Sequence, residues 1–133
     1  MLDFKSPCGA YVLTFEDDGK VAYAYLKKNQ DRAIVGDVWL YNRCPTPAQP
    51  EWSDRDNIPF ANSREYTGDQ GRLEREVQAA DILVNWEYED GTPVAYVYVF
   101  EDLCGVVGVG DSPGYARFAV KSGRLARVME VED

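Results

Sequence analysis

The sequence ILVNWEYEDGTPVAYVYVF, residues 82–100, decides how the chain is read. Two runs rich in Val, Ile, Tyr and Trp flank Glu89-Asp90-Gly91, the composition of a β-hairpin closed on an aspartate-glycine turn. The turn admits two closures. With Asp90-Gly91 as a two-residue turn, Trp86 stands opposite Ala95, Asn85 opposite Tyr96 and Leu83 opposite Tyr98. Tyr88 and Pro93 then form a non-hydrogen-bonded pair, so the donor that proline lacks costs the hairpin nothing. With residues 89–91 as a three-residue turn and bulge, Trp86 faces Val94 and Val84 faces Tyr96. A slip of one residue exchanges the two faces.

This most strand-like stretch is also the most negative. Of 133 residues with a net charge of −9, residues 81–111 carry seven acids (Asp81, Glu87, Glu89, Asp90, Glu101, Asp102, Asp111) and no Lys or Arg. Residues 1–50 balance six acids with six bases. A local excess of this kind implies a negative face, which repels nucleic acid and anionic lipid and favours a basic protein or a cationic ligand. Plain solubility is the other use of such charge.

Outward from the hairpin, GAYVLTFE (9–16) and KVAYAYLK (20–27) flank a second Asp-Gly turn, and AIVGDVWLY (33–41) follows as a third strand. Residues 42–71 read as a long irregular loop, with four prolines by residue 59, and residues 72–80 (RLEREVQAA) as one short helix carrying Leu73, Val77 and Ala80 on a face. At about two and a half turns such a helix needs tertiary packing. After the hairpin, LCGVVGV (103–109) reads as a strand thinned by glycine, and YARFAVK (115–121) and RLARVMEV (124–131) as a last hairpin about Ser122-Gly123. Met129 and Val131 then share a face with Leu125. YVLTFEDDGKVAYAYL (11–26) and LVNWEYEDGTPVAYVYV (83–99) echo each other, which suggests two three-stranded meanders as a pseudo-repeat; convergent hairpin composition gives the same pattern. The expected fold is mainly β, one domain over residues 1–133, with about eight antiparallel strands in hairpin order forming a half-open barrel or a sandwich.

The chemistry that the residues exclude is informative. There is no histidine, which removes Ser-His-Asp and Cys-His nucleophiles and most zinc sites. Gly105 to Gly110 (GVVGVG) lacks dinucleotide spacing and runs into Pro113 where a helix should begin. Asp54, Asp56 and Glu65 mimic three calcium-loop positions, but Pro59 occupies the glycine position. No metal, cofactor or catalytic set is expected. Cys8, Cys44 and Cys104 form no CxxC pair and fit reduced thiols in a cytoplasm, Cys8 and Cys104 as buried structural ones. The N-terminus lacks a signal-peptide pattern, and no run reaches the roughly 18 apolar residues of a membrane span.

In size, acidity, lack of catalytic motifs and runs such as AIVGDVWLYN (33–42), the chain resembles bacterial immunity proteins of the contact-dependent and type VI polymorphic-toxin systems. The resemblance implies a cytoplasmic, non-enzymatic inhibitor that docks on a basic cognate toxin or nuclease, as monomer or homodimer, with no nucleic-acid or membrane partner. The expected contact surface combines the acidic hairpin (Glu87, Glu89, Asp90, Tyr96, Tyr98, Glu101, Asp102) with the 51–56 loop (Glu51, Trp52, Asp54, Asp56). Three alternatives stand beside it: a lipocalin-like small-molecule barrel lined by Trp86, Tyr96 and Tyr98, a small carboxylate enzyme, and a structural subunit of a larger assembly.

Overall fold

Short runs of β-branched and aromatic residues, several of them ended by Gly, Asp or Pro, fold into two largely antiparallel sheets laid face to face. The computed structural model describes residues 1–52 and 55–129. The first sheet holds β1 (Leu2–Lys5), β2 (Tyr11–Asp17), β3 (Val21–Lys28) and β4 (Ile34–Asn42) in that order. The second holds β5 (Ile82–Glu89), β6 (Thr92–Val99), β7 (Asp102–Gly108), β8 (Tyr115–Ala116) and β9 (Arg127–Val128), also in chain order. The protein is thus mainly β, as expected, with two separate sheets and no closed barrel.

Between the sheets, Leu13 and Phe15 of β2, Ala24 and Leu26 of β3 and Val38 and Leu40 of β4 join Ala95 and Val97 of β6 and Val107 of β7 in one buried cluster. Each large side chain withdrawn from water there contributes roughly 1.5–3 kcal/mol. The outer face of the first sheet is covered as well. Tyr23, which pairs with Trp39, donates its hydroxyl to the carbonyl of Phe60. The fully buried Asn42 holds the covering segment down through both its side chain and its main chain.

Four details depart from the sequence reading. Leu2–Lys5 forms an additional edge strand, pairing with β2 from Leu2↔Phe15 to Lys5↔Val12. Residues 72–80 are not an α-helix: Asn42 and Arg72 form an isolated parallel bridge, and the Leu73 N–H donates to the Asn42 carbonyl at 2.8 Å. That attachment draws the chain out along β4, and only a 3-10 turn at Ala79–Asp81 remains. A helix this short has no nucleation reserve to resist the pull. The one short α-helix, α1 (Arg64–Thr67), lies instead within the expected loop. Finally, the described part of the last expected hairpin, residues 115–129, is no hairpin, because Tyr115↔Arg127 and Ala116↔Val128 pair in parallel. Val131 lies outside the described residues.

The link between β6 and β7 carries local strain. Phe100 and Glu101 turn the chain with φ of 50° and 71°, a two-residue turn built without glycine. A side chain in this left-handed region costs of order 1 kcal/mol. Glu101 is exposed, so Glu101→Gly should raise stability by about 0.5–1 kcal/mol, read as a higher urea midpoint at unchanged m-value.

Candidate functional site

The hairpin closes in the two-residue register. Asp90 and Gly91 have φ of 51° and 82°, the mirror-image turn that an Asp-Gly pair supports, and Glu89 pairs with Thr92. Asn85 therefore faces Tyr96 and Leu83 faces Tyr98. β7 stops at Gly108 opposite Val94, so the donor that Pro93 lacks falls beyond the end of that ladder. This register sorts the residues cleanly. Ile82, Val84 and Trp86 turn toward the other sheet beside Val99, Val97 and Ala95, becoming less buried toward the tip. Leu83, Asn85, Glu87 and Glu89 turn outward with Tyr98, Tyr96, Val94 and Thr92. Trp86 and the two tyrosines thus stand on opposite faces and line no common cavity.

The outward face continues across the sheet through Leu103 and Val106 of β7 to Tyr115 of β8. It is a mixed surface of apolar side chains edged by acids. Leu83 is 58% exposed, and Tyr96 and Tyr98 are half-buried. Burial pushes the Tyr96 hydroxyl above its ordinary pKa, and the nearby Glu87 and Glu89 carboxylates push it the same way, Glu87 also accepting its hydrogen bond. At the far edge Arg127 lies 4.2 Å from the centroid of the Tyr115 ring and pairs with Asp111 at 3.1 Å.

Ion pairs fall unevenly over the molecule. Among the described residues, Asp3, Asp17, Glu51, Glu65, Glu74 and Asp111 each pair with a Lys or Arg. None of Asp81, Glu87, Glu89, Asp90, Glu101 or Asp102 does. Unpaired carboxylates on one face sum to a field that acts on whatever approaches.

The expected contact residues fall into separate places. The Cys8 N–H donates to the Tyr88 hydroxyl at 3.2 Å, which sets the tip of the β5–β6 hairpin beside the turn that precedes β2. Glu51 pairs with Lys20 at 3.1 Å, in the turn that follows β2, and accepts from the Ala61 N–H at 3.0 Å. The seven residues of β2 span about 23 Å between those turns. Glu87, Glu89 and Asp90 thus lie at one end of the sandwich and Glu51 at the other. Glu101 and Asp102 sit at the base of the hairpin, away from its tip. Trp52 packs on Tyr66 with ring centroids 5.5 Å apart and lies under the Arg124 guanidinium, so it anchors the covering segment. Asp56 is exposed, and Asp54 lies outside the described residues. The structure adds Leu83, Val94, Val106 and Tyr115 to the tyrosine face; the alternation of residues in β5 was the available signal, usable once the register is fixed.

The remaining surface offers little chemistry. Cys8 is exposed rather than buried; the Ser6 hydroxyl 3.4 Å from its sulfur, then the Tyr88 hydroxyl, lower its thiol to about 7. Cys104 is buried, and burial pushes its thiol up to about 12. An open groove of about 450 Å³ at the hairpin base is lined by Arg75, Ala80, Asp81, Ile82, Leu83, Phe100 and Glu101, with the Arg75 guanidinium stacked 4.0 Å from the Phe100 ring centroid. Among the described residues no cluster of His, Cys, Asp or Glu could hold a metal ion, and no helix is long and apolar enough to cross a membrane. No protein-family model, curated protein or solved structure matches the chain.

Proposed function

We propose that this chain is a non-enzymatic protein-binding inhibitor of the immunity-protein kind, which docks the outer face of its second sheet on a basic toxin or nuclease domain. The observation that carries this reading is the contrast in ion pairing. Six acids elsewhere form ion pairs within the chain, whereas none of the six in residues 81–102 does, and these stand beside exposed Leu83 and half-buried Tyr96 and Tyr98. Aromatic anchors fringed by charge give a docking surface affinity at its centre and fast, salt-sensitive association at its rim.

An internal comparison supports it. Tyr23 and Tyr25 hold the places in the first meander that Tyr96 and Tyr98 hold in the second. The first pair stacks with centroids 5.8 Å apart, and Tyr23 is sealed by the chain's own segment at Phe60, whereas the second pair has no such cover among the described residues. The same architecture is thus finished on one side and left open on the other.

The test is to capture the partner from the native host and measure its association by stopped-flow. Glu87→Lys, Glu89→Lys and Asp90→Lys together should slow association about 10–100-fold at low salt and flatten its salt dependence. The captured protein's toxic activity should also fall when the wild-type chain is added. Unchanged rates and salt dependence remove the hairpin from the interface.

A further inference from the structure

We infer that the free edge of β5 receives an extended segment of the basic partner, alternating cationic and apolar residues, as an added strand. The inference rests on the docking reading above and specifies how the partner is held.

β5 is the terminal strand of its sheet and runs for eight residues. Its pairing with β6 has no register shift, and it contains no Pro and no Lys. Bulges, proline, lysine and shortness guard most exposed edges; β5 has none of these, and the charges it carries are the glutamates Glu87 and Glu89, which a cationic strand would neutralise. The other edges are managed. β1 is four residues long. β4 is sealed by loops: its Asp37, Trp39 and Asn42 N–H groups donate to the carbonyls of Asp111, Leu125 and Gly71, and its Val35 and Asp37 carbonyls accept from Gly110 and Gly114. Because Glu89 and Thr92 flank the two-residue turn as a bonded pair, the main-chain groups of Val84, Trp86 and Tyr88 point away from β6. They offer a ladder of donors and acceptors at two-residue spacing.

The side chains on either face of that ladder specify the occupant. A strand laid along it places alternate residues beside Asn85, Glu87 and Glu89, where cations are favoured. The intervening residues fall beside half-buried Val84 and Trp86, where apolar groups are favoured. A second copy of this chain is a poorer occupant, since it would bring another stretch of seven acids without a base against the first.

The probe is a synthetic nine-residue peptide alternating lysine with valine, titrated into the full chain at low salt and followed by amide exchange in ¹⁵N-labelled protein. In the free protein the Val84, Trp86 and Tyr88 amides should exchange quickly; with peptide they should slow about a hundredfold. Methylating the peptide's alternate amides should weaken binding about a hundredfold, the loss expected for three backbone hydrogen bonds. A peptide of the same composition with lysines and valines in separate blocks should bind at least tenfold more weakly. If the peptide binds in a salt-dependent way but these amides stay unprotected and N-methylation has no effect, strand addition is overturned while the acidic docking face stands. Failure of the alternating peptide to bind overturns strand addition too, leaving the docking face to the charge-reversal measurement. Concentration-dependent protection of the same amides without peptide would assign the edge to a second copy and overturn the inference.

Discussion

Asn42→Ala should cost about 4 kcal/mol, a large share of the roughly 5–15 kcal/mol that holds a domain together. The residue is fully buried at the end of β4, and one side-chain amide makes three hydrogen bonds. Its Oδ1 accepts from Trp39 Nε1 at 2.9 Å and from the Asn62 N–H at 2.8 Å, while its Nδ2 donates to the Asn62 carbonyl at 2.8 Å. Alanine would leave all three partners orphaned in a dry interior at about 1–3 kcal/mol each, partly relieved by local rearrangement. The measurement is the urea midpoint of the variant, with tryptophan fluorescence reporting on Trp39. Asn42→Asp gives a sharper form of the test. One carboxyl oxygen can replace Oδ1, but the other would face the Asn62 carbonyl, an acceptor. The protonated acid can donate there, and burial also disfavours the charge, so the folded pKa is raised above the unfolded value of about 3.9. A raised pKa contributes stability that is fully present below the unfolded value and is lost as pH rises through the folded one. Relative to wild type at each pH, Asn42→Asp should therefore be more stable at pH 4 than at pH 7. A flat difference would mean that the covering segment shifts to hydrate the carboxylate.

Asn42 also shows where the sequence stops being legible. The strands announced by Asp-Gly turns were readable, because an aspartate side chain and a glycine solve a local problem with local atoms: Asp18 Oδ1 accepts from the N–H groups of Lys20 and Val21 at 2.8 and 2.9 Å. Elements decided by distant partners were not. The periodicity of Leu73, Val77 and Ala80 is genuine, yet the bond from the Leu73 N–H to Asn42, 31 positions earlier, overrides it. The parallel pairing of β8 with β9 and the glycine-free turn at Phe100-Glu101 likewise rest on contacts that no window of sequence contains. For the candidate site, the charge bias of residues 81–111 was visible at once. Which carboxylates are already neutralised was not, because Glu51 looks like Glu87 until Lys20 is seen beside it. Register occupied the middle ground, with two closures written in the sequence and the positive φ of Asp90 and Gly91 choosing between them.

Gly36→Ala should cost about 3 kcal/mol or more, for a reason that distinguishes it from Gly105, another close glycine of the sandwich. Gly36 lets β4 approach β7: a Cβ there would lie 2.6 Å from the Gly108 carbonyl oxygen and 2.9 Å from Val107 Cγ2. A backbone oxygen cannot swing aside, so the strands must part. The neighbouring bonds from the Asp37 N–H to the Asp111 carbonyl and from the Gly110 N–H to the Val35 carbonyl would be strained with them. Gly105 meets a different obstacle, since its Cβ would overlap Leu40 Cδ2, a side-chain methyl. Gly105→Ala should therefore be relieved by shortening its neighbour. Leu40→Ala alone leaves a cavity costing about 2–5 kcal/mol, and the double variant should fall short of the sum of the singles by about 1–2 kcal/mol. Pairing Gly36→Ala with Val107→Ala removes one contact and leaves the Gly108 oxygen in place, so that double variant should stay close to additive. Non-additivity at residues 105 and 40 beside near-additivity at 36 and 107, read from urea midpoints, would place the limit on sheet separation at the main chain of β7. The reverse pattern would place it in the side chains.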